Sequence, residues 1–156
     1  MDLLGTAVRM LGFTSSRSRA LSSHLSALGA ALDPDGPADY LFHCASFNKE
    51  SSPRIRPGGF ERAVVEPVRR AARDASRLRH ICLVREAAPL EPATPKEVHL
   101  LAVEDGLRFV ASRHGVPVAV LLGPSKDPCW KHLPAAAAIA ACLRLSGEFD
   151  MRSFRA

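Results

Sequence analysis

The chain has 156 residues, of which 47% are hydrophobic and 24% are charged, a composition typical of one globular domain with a sizeable core. We therefore treat residues 1–156 as a single domain. No apolar run approaches the roughly 20 residues that a membrane-spanning helix needs, so we expect no membrane insertion. The net charge of +5 is compatible with RNA or an acidic surface as a partner, but charge alone identifies neither.

Residues 1–18 are expected to form an N-terminal helix or an extension ahead of the main domain. They contain several Ser and Arg residues and one acidic residue, Asp2. This is also the composition of an organellar transit peptide. Both interpretations stay open at this point.

The next part of the chain alternates between helical and extended patterns. Leucines spaced three or four residues apart predict a helix over residues 20–32. The apolar run YLFHCA predicts a strand over residues 40–45. Residues 60–77 have one apolar face and many arginines elsewhere, which predicts a second helix. Pro67 lies inside that helix and fits only if it begins a new helical segment.

The remaining elements continue the alternation. The run HICLV at residues 80–84 predicts a strand that is buried on both faces. A helix is predicted over residues 96–114, with Gly115 just after its last residue. The run VPVAVLL predicts a third strand over residues 116–122, and an Ala-rich helix is predicted within residues 130–145.

This order predicts an α/β fold, with a short parallel sheet flanked by helices in three layers and a Rossmann-like core over residues 20–148. Ligands of such sheets bind beyond the carboxyl ends of the strands. The predicted ends are the small and polar residues at 44–48, 84–86 and 123–126. We expect a ligand site there if the protein has one.

Three segments resemble the extended short-chain dehydrogenase/reductase superfamily. DYLFHCAS at residues 39–46 resembles its "D-x-V-F-H-x-A-S" strand, and RLRHICLV at residues 77–84 resembles the following strand, "x-L-R-H-V-x-L-x". GVPVAVLLGP at residues 115–124 is similar to its "G-V-P-V-x-x-L-R-P" strand. The acidic pair Glu104-Asp105 and the segment AAAIAACLRLSG at residues 136–147 resemble the progesterone 5β-reductase/iridoid synthase-like group.

This resemblance implies NAD(P) as the cofactor. It also implies which positions face that cofactor, namely Cys44, Ala45, Ser46, Val84 and Arg85. Arg85 stands where the family places Ser, Thr or Thr-Gly, so the match is incomplete at this position.

The chain lacks two features that the family uses for cofactor binding and catalysis, the glycine-rich turn and the tyrosine. It has no G-x-x-G-x-x-G turn, and we predict no strand before Gly5 or Gly12. The family's tyrosine would fall near Leu100 or Leu101, and the only tyrosine, Tyr40, lies elsewhere. We therefore predict a non-catalytic remnant that acts as a binding or assembly subunit, with no catalytic residue.

The cysteines and histidines predict no metal site. None of the four cysteines belongs to a Cys-x-x-Cys pair. We expect Cys44 and Cys82 to be buried, and we place the protein in the cytoplasm or an organellar matrix, where the compartment is reducing, rather than outside the cell. His43 cannot activate Cys44, because neighbouring residues of a strand face opposite ways. Four further histidines lack metal-ligand spacing and are expected at the surface or as caps: His80, His99, His114 and His132.

Two alternatives to the non-catalytic remnant remain. Residues 59–145 loosely resemble the kink-turn-binding ribosomal-protein family, which includes protein subunits of ribonuclease P. That likeness implies RNA phosphates near Gly58, Gly59 and Arg62, and a strand rather than a helix at residues 136–143. The other alternative is an active NAD(P)H-dependent reductase with an atypical cofactor loop. The remnant hypothesis also predicts a homo-oligomer or a subunit of a complex, because exposed sheet edges are usually covered.

Overall fold

The computed structural model describes residues 3–11, 22–23, 25–45, 61–86, 91 and 94–123. These residues contain a sheet of five strands in the order β2-β1-β3-β4-β5. The strands are β1 (Ala7–Leu11), β2 (Ala31–Leu32), β3 (Tyr40–Ala45), β4 (His80–Glu86) and β5 (Val118–Gly123). Every neighbouring pair is parallel, so the predicted α/β class with a parallel sheet is confirmed.

Two helices connect the last three strands. A turn of π-helix, Glu61–Val65, runs directly into α1 (Glu66–Asp74). Pro67 lies in the first turn of α1, directly after the π-helical turn, so the change of helix type coincides with the residue that lacks a backbone N–H. The second helix is α2 (Pro95–His114). None of the described helices is long and apolar enough to cross a membrane.

Local chemistry sets both ends of α2. The Thr94 side chain accepts a hydrogen bond from the Glu97 N–H, and the Glu97 side chain accepts one from the Thr94 N–H. This reciprocal pair satisfies two donors that a helix start leaves open. Gly115 ends the helix with φ 66°, a left-handed conformation that glycine adopts without steric cost.

The beginning of the chain differs from the sequence prediction. Ala7–Leu11 forms β1 rather than a helix or extension, and it lies inside the sheet between β2 and β3. The helix predicted over residues 20–32 also ends earlier than expected. Residues 25–27 are helical, but Ala31–Leu32 forms a strand. A strand therefore does precede Gly12, contrary to our prediction. A short apolar run fits a strand and a helix equally well by periodicity.

The face of the sheet that α1 and α2 cover carries a cluster of buried hydrophobic side chains. Leu41, Ile81 and Leu83 project from the strands into this cluster. The helices and the segments that flank them contribute Val64, Ala71, Ala75, Leu78, Leu100, Val103, Leu107, Val110, Ala111 and Val116.

The opposite face of the sheet is also covered. The alternate strand residues Val8, Tyr40, Phe42, Cys82 and Ala119 are all buried. Leu25, in the helical residues between β1 and β2, is also fully buried. A sheet buried on both faces agrees with the predicted three layers. The helix predicted within residues 130–145 lies outside the described residues.

A close approach sets the spacing between the two helices. A Cβ atom added to Gly106 of α2 would lie 2.5 Å from Cγ2 of Val68 in α1. Valine has a stiff side chain, so it has little freedom to move aside. Gly106 therefore allows α1 and α2 to pack together over β4.

We expect Gly106→Ala to behave differently in two backgrounds. In the wild type, overpacking of about 1–3 kcal/mol should cancel or exceed the gain of about 1 kcal/mol in helix propensity. In a Val68→Ala background the space is free and only the gain should remain. Urea denaturation of the four proteins measures the coupling, which we expect to exceed about 1 kcal/mol. Equal effects of Gly106→Ala in both backgrounds would contradict the close packing.

Candidate functional site

The strand order locates the crevice where parallel sheets bind ligands. The chain passes from β1 outward to β2, then returns across β1 to β3 and continues to β4 and β5. The direction of winding therefore reverses between β1 and β3. Ligands of open α/β sheets bind at the carboxyl ends of the two strands that flank such a reversal. Leu11 and His43, which are register partners, mark that point here.

His43 is a buried neutral histidine at this reversal point. Its side chain is 4% exposed, and Nδ1 lies 3.2 Å from the carbonyl oxygen of Leu11. Because a carbonyl oxygen only accepts, Nδ1 carries the proton and Nε2 is left as an acceptor. Nε2 is buried and has no hydrogen-bond partner among the described residues. Burial lowers the pKa of His43 to about 4, against the opposing effect of the Leu11 bond.

A second charged group lies at the carboxyl end of β4. The Arg85 Nε donates to Oε2 of Glu104 in α2 at 2.8 Å, and both side chains are largely buried. The other oxygen of Glu104, Oε1, accepts from Arg108 at 3.1 Å. The Glu104 carboxylate thus joins two guanidinium groups. This arrangement fixes α2 to the end of β4 and leaves Arg85 turned toward the helix layer.

The structure brings together four of the five residues that the dehydrogenase resemblance assigns to a cofactor. Cys44 is the register partner of Val84, and Ala45 is the register partner of Arg85. These positions lie side by side at the carboxyl ends of β3 and β4. Ser46 lies outside the described residues. Their role toward a cofactor stays a prediction, and the Arg85 guanidinium is bonded to Glu104.

The positions expected for the family's tyrosine carry leucines in and beside the core. Leu100 is 1% exposed and belongs to the cluster under α2. Leu101 is half-buried. Neither side chain can donate a proton. The two residues of the acidic pair have different environments. Glu104 forms an ion pair with Arg85, whereas Asp105 is exposed.

Asp39, the first residue of the dehydrogenase-like strand motif, has a structural role. Its Oδ2 accepts the Ala7 N–H at 2.8 Å, and its Oδ1 accepts from Arg77 Nε at 3.1 Å. Burial raises the pKa of Asp39, but these two hydrogen bonds and the nearby arginine charges outweigh it and lower the pKa overall. Asp39 therefore joins the starts of β1 and β3 as an ionised group.

Sequence reasoning missed a buried ion pair between distant residues. The Arg9 Nε of β1 donates to Oδ2 of Asp74, the last residue of α1, at 2.7 Å. The same guanidinium donates to the carbonyl oxygens of Gly36 at 2.7 Å and Pro34 at 3.3 Å. No local pattern pairs residues so far apart. The only available signal was an arginine inside an otherwise apolar strand, a position that usually requires a buried partner.

The predicted surface role is wrong for two histidines. His80 and His99 are buried, at 5% and 6% exposure. They occupy inward positions of β4 and α2, and burial lowers the pKa of His99. His114 is exposed at the end of α2, and His132 lies outside the described residues. Within the described part of the chain, no three His, Cys, Asp or Glu residues group as a metal site would.

The arginines around α1 are largely paired with acids. Arg69 donates to Glu61 and Glu66, and Arg70 donates to Glu66. The Glu66 pKa is lowered, chiefly by the hydrogen bond from Arg70. Arg62 is exposed, and Gly58 and Gly59 lie outside the described residues.

No protein-family model matches the sequence, and no curated protein matches it. The likeness to the extended dehydrogenases therefore stays one of short segments.

We expect Arg85→Met to destabilise the protein by about 3 kcal/mol, because it leaves a largely buried Glu104 carboxylate with one partner fewer. Adding Glu104→Gln should recover much of the loss, because it removes the carboxylate charge that has lost its buried partner. Arg70→Met, which breaks the exposed pair with Glu66, is the matched control and should have little measurable effect. Urea denaturation of the four proteins provides the comparison. Equal losses for Arg85→Met and Arg70→Met would show that burial of the Arg85 pair contributes nothing.

We expect stability to fall as the pH drops from 6.5 toward 4. The unfolded chain protonates His43 at its ordinary pKa of 6.5, whereas the folded chain resists protonation until about 4. Protons therefore favour unfolding across this window, by at most about 3.4 kcal/mol for this group. His43→Asn, which keeps a donor but does not titrate, should flatten the dependence in urea denaturation at about pH 7.5 and about pH 5. His99 should leave a residual slope. An unchanged slope in His43→Asn would contradict burial of a neutral His43.

Proposed function

We propose that the chain is a non-catalytic α/β protein, related to the extended short-chain dehydrogenases, that acts by binding or assembly rather than by hydride transfer. The observation that carries this proposal is the placement of Leu100. It occupies a position where the resemblance calls for an acidic hydroxyl, and it is 1% exposed within the core. A proton donor must lie within hydrogen-bond reach of the reacting atom, and an aliphatic side chain in the core cannot serve.

The ion pair at the end of β4 supports the same proposal. Arg85 replaces the family's Ser or Thr and is bonded to Glu104 at 2.8 Å. A guanidinium group only donates hydrogen bonds, and this one donates to Glu104, so it does not replace the family's hydroxyl group. The charge at this edge therefore serves to hold α2 in place.

The crevice between β1 and β3 supports a binding role. A strand, a helical segment and a second strand precede β3, and the sheet reverses its winding beside β1. This is the arrangement in which parallel α/β sheets hold nucleotides. We therefore propose NAD(P) as the ligand to test first, with Cys44, Ala45, Ser46, Val84 and Arg85 nearest to it, in a protein of the cytoplasm or an organellar matrix.

RNA binding is supported less well by the described residues. A phosphate-binding surface needs cationic side chains that converge and remain available. Arg69 and Arg70 bond to Glu61 and Glu66 on their own helical segment, and Arg77 bonds to Asp39. RNA binding is therefore kept as an alternative, which the thermal melt described below also tests.

We expect the purified chain to oxidise no NADPH or NADH above background when it is offered α,β-unsaturated ketones and aldehydes. The measurement is the loss of nicotinamide absorbance, with an active reductase of the same superfamily as the positive control. Turnover that is proportional to the concentration of the chain, and that remains after a further purification step, would overturn the non-catalytic proposal.

A thermal melt with about 1 mM NADPH or NADH then distinguishes dinucleotide binding from assembly as the role of the chain. A ligand at 100 times its dissociation constant stabilises a fold by about 2.7 kcal/mol, which raises the melting temperature by several degrees. Such a shift would assign dinucleotide binding to the crevice. No shift would leave assembly as the function, and a shift with a structured RNA alone would replace both.

A further inference from the structure

His43 carries a buried hydrogen-bond acceptor that the described part of the chain leaves without a partner. The residue lies near the carboxyl end of β3 and is 4% exposed. Its Nε2 has no hydrogen-bond partner among the described residues. Buried polar groups of native proteins nearly always have a partner, and each exception needs an explanation. The nitrogen therefore points to a donor that these residues do not supply.

The contact with Leu11 decides which nitrogen of the ring is left. Leu11 is the last residue of β1, and its carbonyl oxygen lies 3.2 Å from Nδ1 of His43. A carbonyl oxygen only accepts, so Nδ1 keeps the proton and Nε2 presents a lone pair. This lone pair points away from the Leu11 carbonyl group, because the two nitrogens lie on different edges of the ring. Burial lowers the pKa of His43 to about 4, so Nε2 stays an acceptor at neutral pH.

The side chains beside the ring disfavour a lone water molecule or a cation as the missing partner. Leu11 and Leu83 are the register partners of His43 on the two neighbouring strands, and Leu41 precedes it on the same face of β3. A buried water needs about two to four polar partners, and these three side chains offer none. A cation would be costly to bury among them. An uncharged donor that belongs to a larger molecule, with further contacts of its own, fits better.

The position of the ring shows where that molecule would lie. The contact between Nδ1 and Leu11 joins β1 to β3, the two strands between which the sheet reverses its winding. Ligands of open parallel sheets bind in the crevice at the carboxyl ends of such strands. The acceptor and the crevice are separate observations, one from hydrogen bonding and one from strand order, and they coincide.

We propose that His43 is a ligand-binding residue of this crevice, and that its Nε2 accepts a hydrogen bond from an uncharged hydroxyl, amino or amide group of the bound molecule. Ionised carboxylate and phosphate groups cannot take this place, because their oxygens only accept. The proposal rests on the binding role proposed above and specifies one contact of that role. A nucleotide offers suitable donors in its ribose and its base, and NADH offers a carboxamide as well.

Nitrogen NMR of the whole chain tests this contact. The measurement uses ¹⁵N-labelled histidine at about pH 7.5, where His43 is neutral. An imidazole nitrogen that accepts a hydrogen bond resonates upfield of one with a free lone pair. We expect a free lone pair at Nε2 in the ligand-free chain, and an upfield shift with about 1 mM NADH. Inorganic phosphate at the same concentration is the control and should cause no shift. The spectrum of His43→Asn, which lacks this resonance, assigns it.

Two mononucleotides locate the donor within the ligand. AMP and 2′,3′-dideoxy-AMP share the adenine and the phosphate group and differ only in the ribose hydroxyl groups. A shift with AMP alone identifies a ribose hydroxyl group as the donor, and a shift with both identifies the adenine amino group. A shift with NADH that neither mononucleotide reproduces places the donor in the nicotinamide half. Each of these results supports an uncharged donor at Nε2.

A matched pair of substitutions separates this contact from a structural role of the ring. His43→Asn places an amide where Nδ1 lies and leaves nothing at Nε2, whereas His43→Gln places an amide where Nε2 lies. We expect His43→Asn to raise the dissociation constant for NADH about tenfold and His43→Gln to raise it less. A thermal melt first shows whether both variants are folded. If either is unfolded, the spectra of the wild-type chain decide.

Three results would overturn the proposed contact. The first is an Nε2 resonance that is already shifted upfield in the ligand-free chain, because the donor is then a water molecule or the chain itself. The second is a resonance that neither NADH nor NADPH moves, or that inorganic phosphate moves equally. The third is an equal effect of folded His43→Asn and His43→Gln on NADH binding. None of these results involves nicotinamide turnover, so failure of this contact is distinguishable from failure of the non-catalytic proposal.

Discussion

The buried ion pair between Arg9 and Asp74 is the interaction on which the arrangement of this domain depends. Its two residues are 65 positions apart, and it joins β1 to the end of α1. The same guanidinium bonds the carbonyl oxygens of Pro34 and Gly36 in the connection that crosses from β2 to β3. A buried charge is tolerated only when it is paired and hydrogen-bonded. Removal of either partner would leave the other uncompensated, and such losses commonly cost about 3–5 kcal/mol.

The two ends of the sheet are held in different ways. At the amino ends of the strands, Asp39 accepts the Ala7 N–H and the Arg77 guanidinium, which fixes β1 against β3. At the carboxyl ends, Arg85 and Glu104 fix α2 to β4. The reversal point between β1 and β3 is held differently, through the contact of His43 with the Leu11 carbonyl group. The carboxyl ends of β1 and β3, where a ligand would bind, thus carry the neutral His43 side chain. The carboxyl end of β4 beside them carries the ion pair of Arg85 with Glu104.

Within the described part of the chain, most arginine side chains are bonded to carboxylates. The net charge of +5 is compatible with a nucleic-acid partner, but several arginines in the described residues bond to carboxylates on neighbouring elements. Arg9, Arg77 and Arg85 each connect two parts of the fold. In this domain arginine acts largely as a structural donor, because its planar fork can hold a carboxylate and reach further acceptors.

The sequence by itself determined those elements whose signal is local. The run YLFHCA predicted the bounds of β3, and Gly115 predicted the end of α2. The alternation of these elements was sufficient to predict a parallel sheet. In the structure, Cys44 and Ala45 at the end of β3 are register partners of Val84 and Arg85 at the end of β4. These features depend on neighbouring residues, so a single sequence contains the information needed to infer them.

Only the tertiary structure decided which distant residues meet. A short apolar run at Ala7–Leu11 became the strand next to β3 because a partner strand and the Asp74 carboxylate were available to it. His80 and His99 are buried because their elements turn those positions inward, which a polar residue's own preference does not reveal. The direction of the Arg85 side chain likewise depends on Glu104 of α2. Ion pairs and burial are set by the packing of elements far apart in the chain, and no local pattern encodes them.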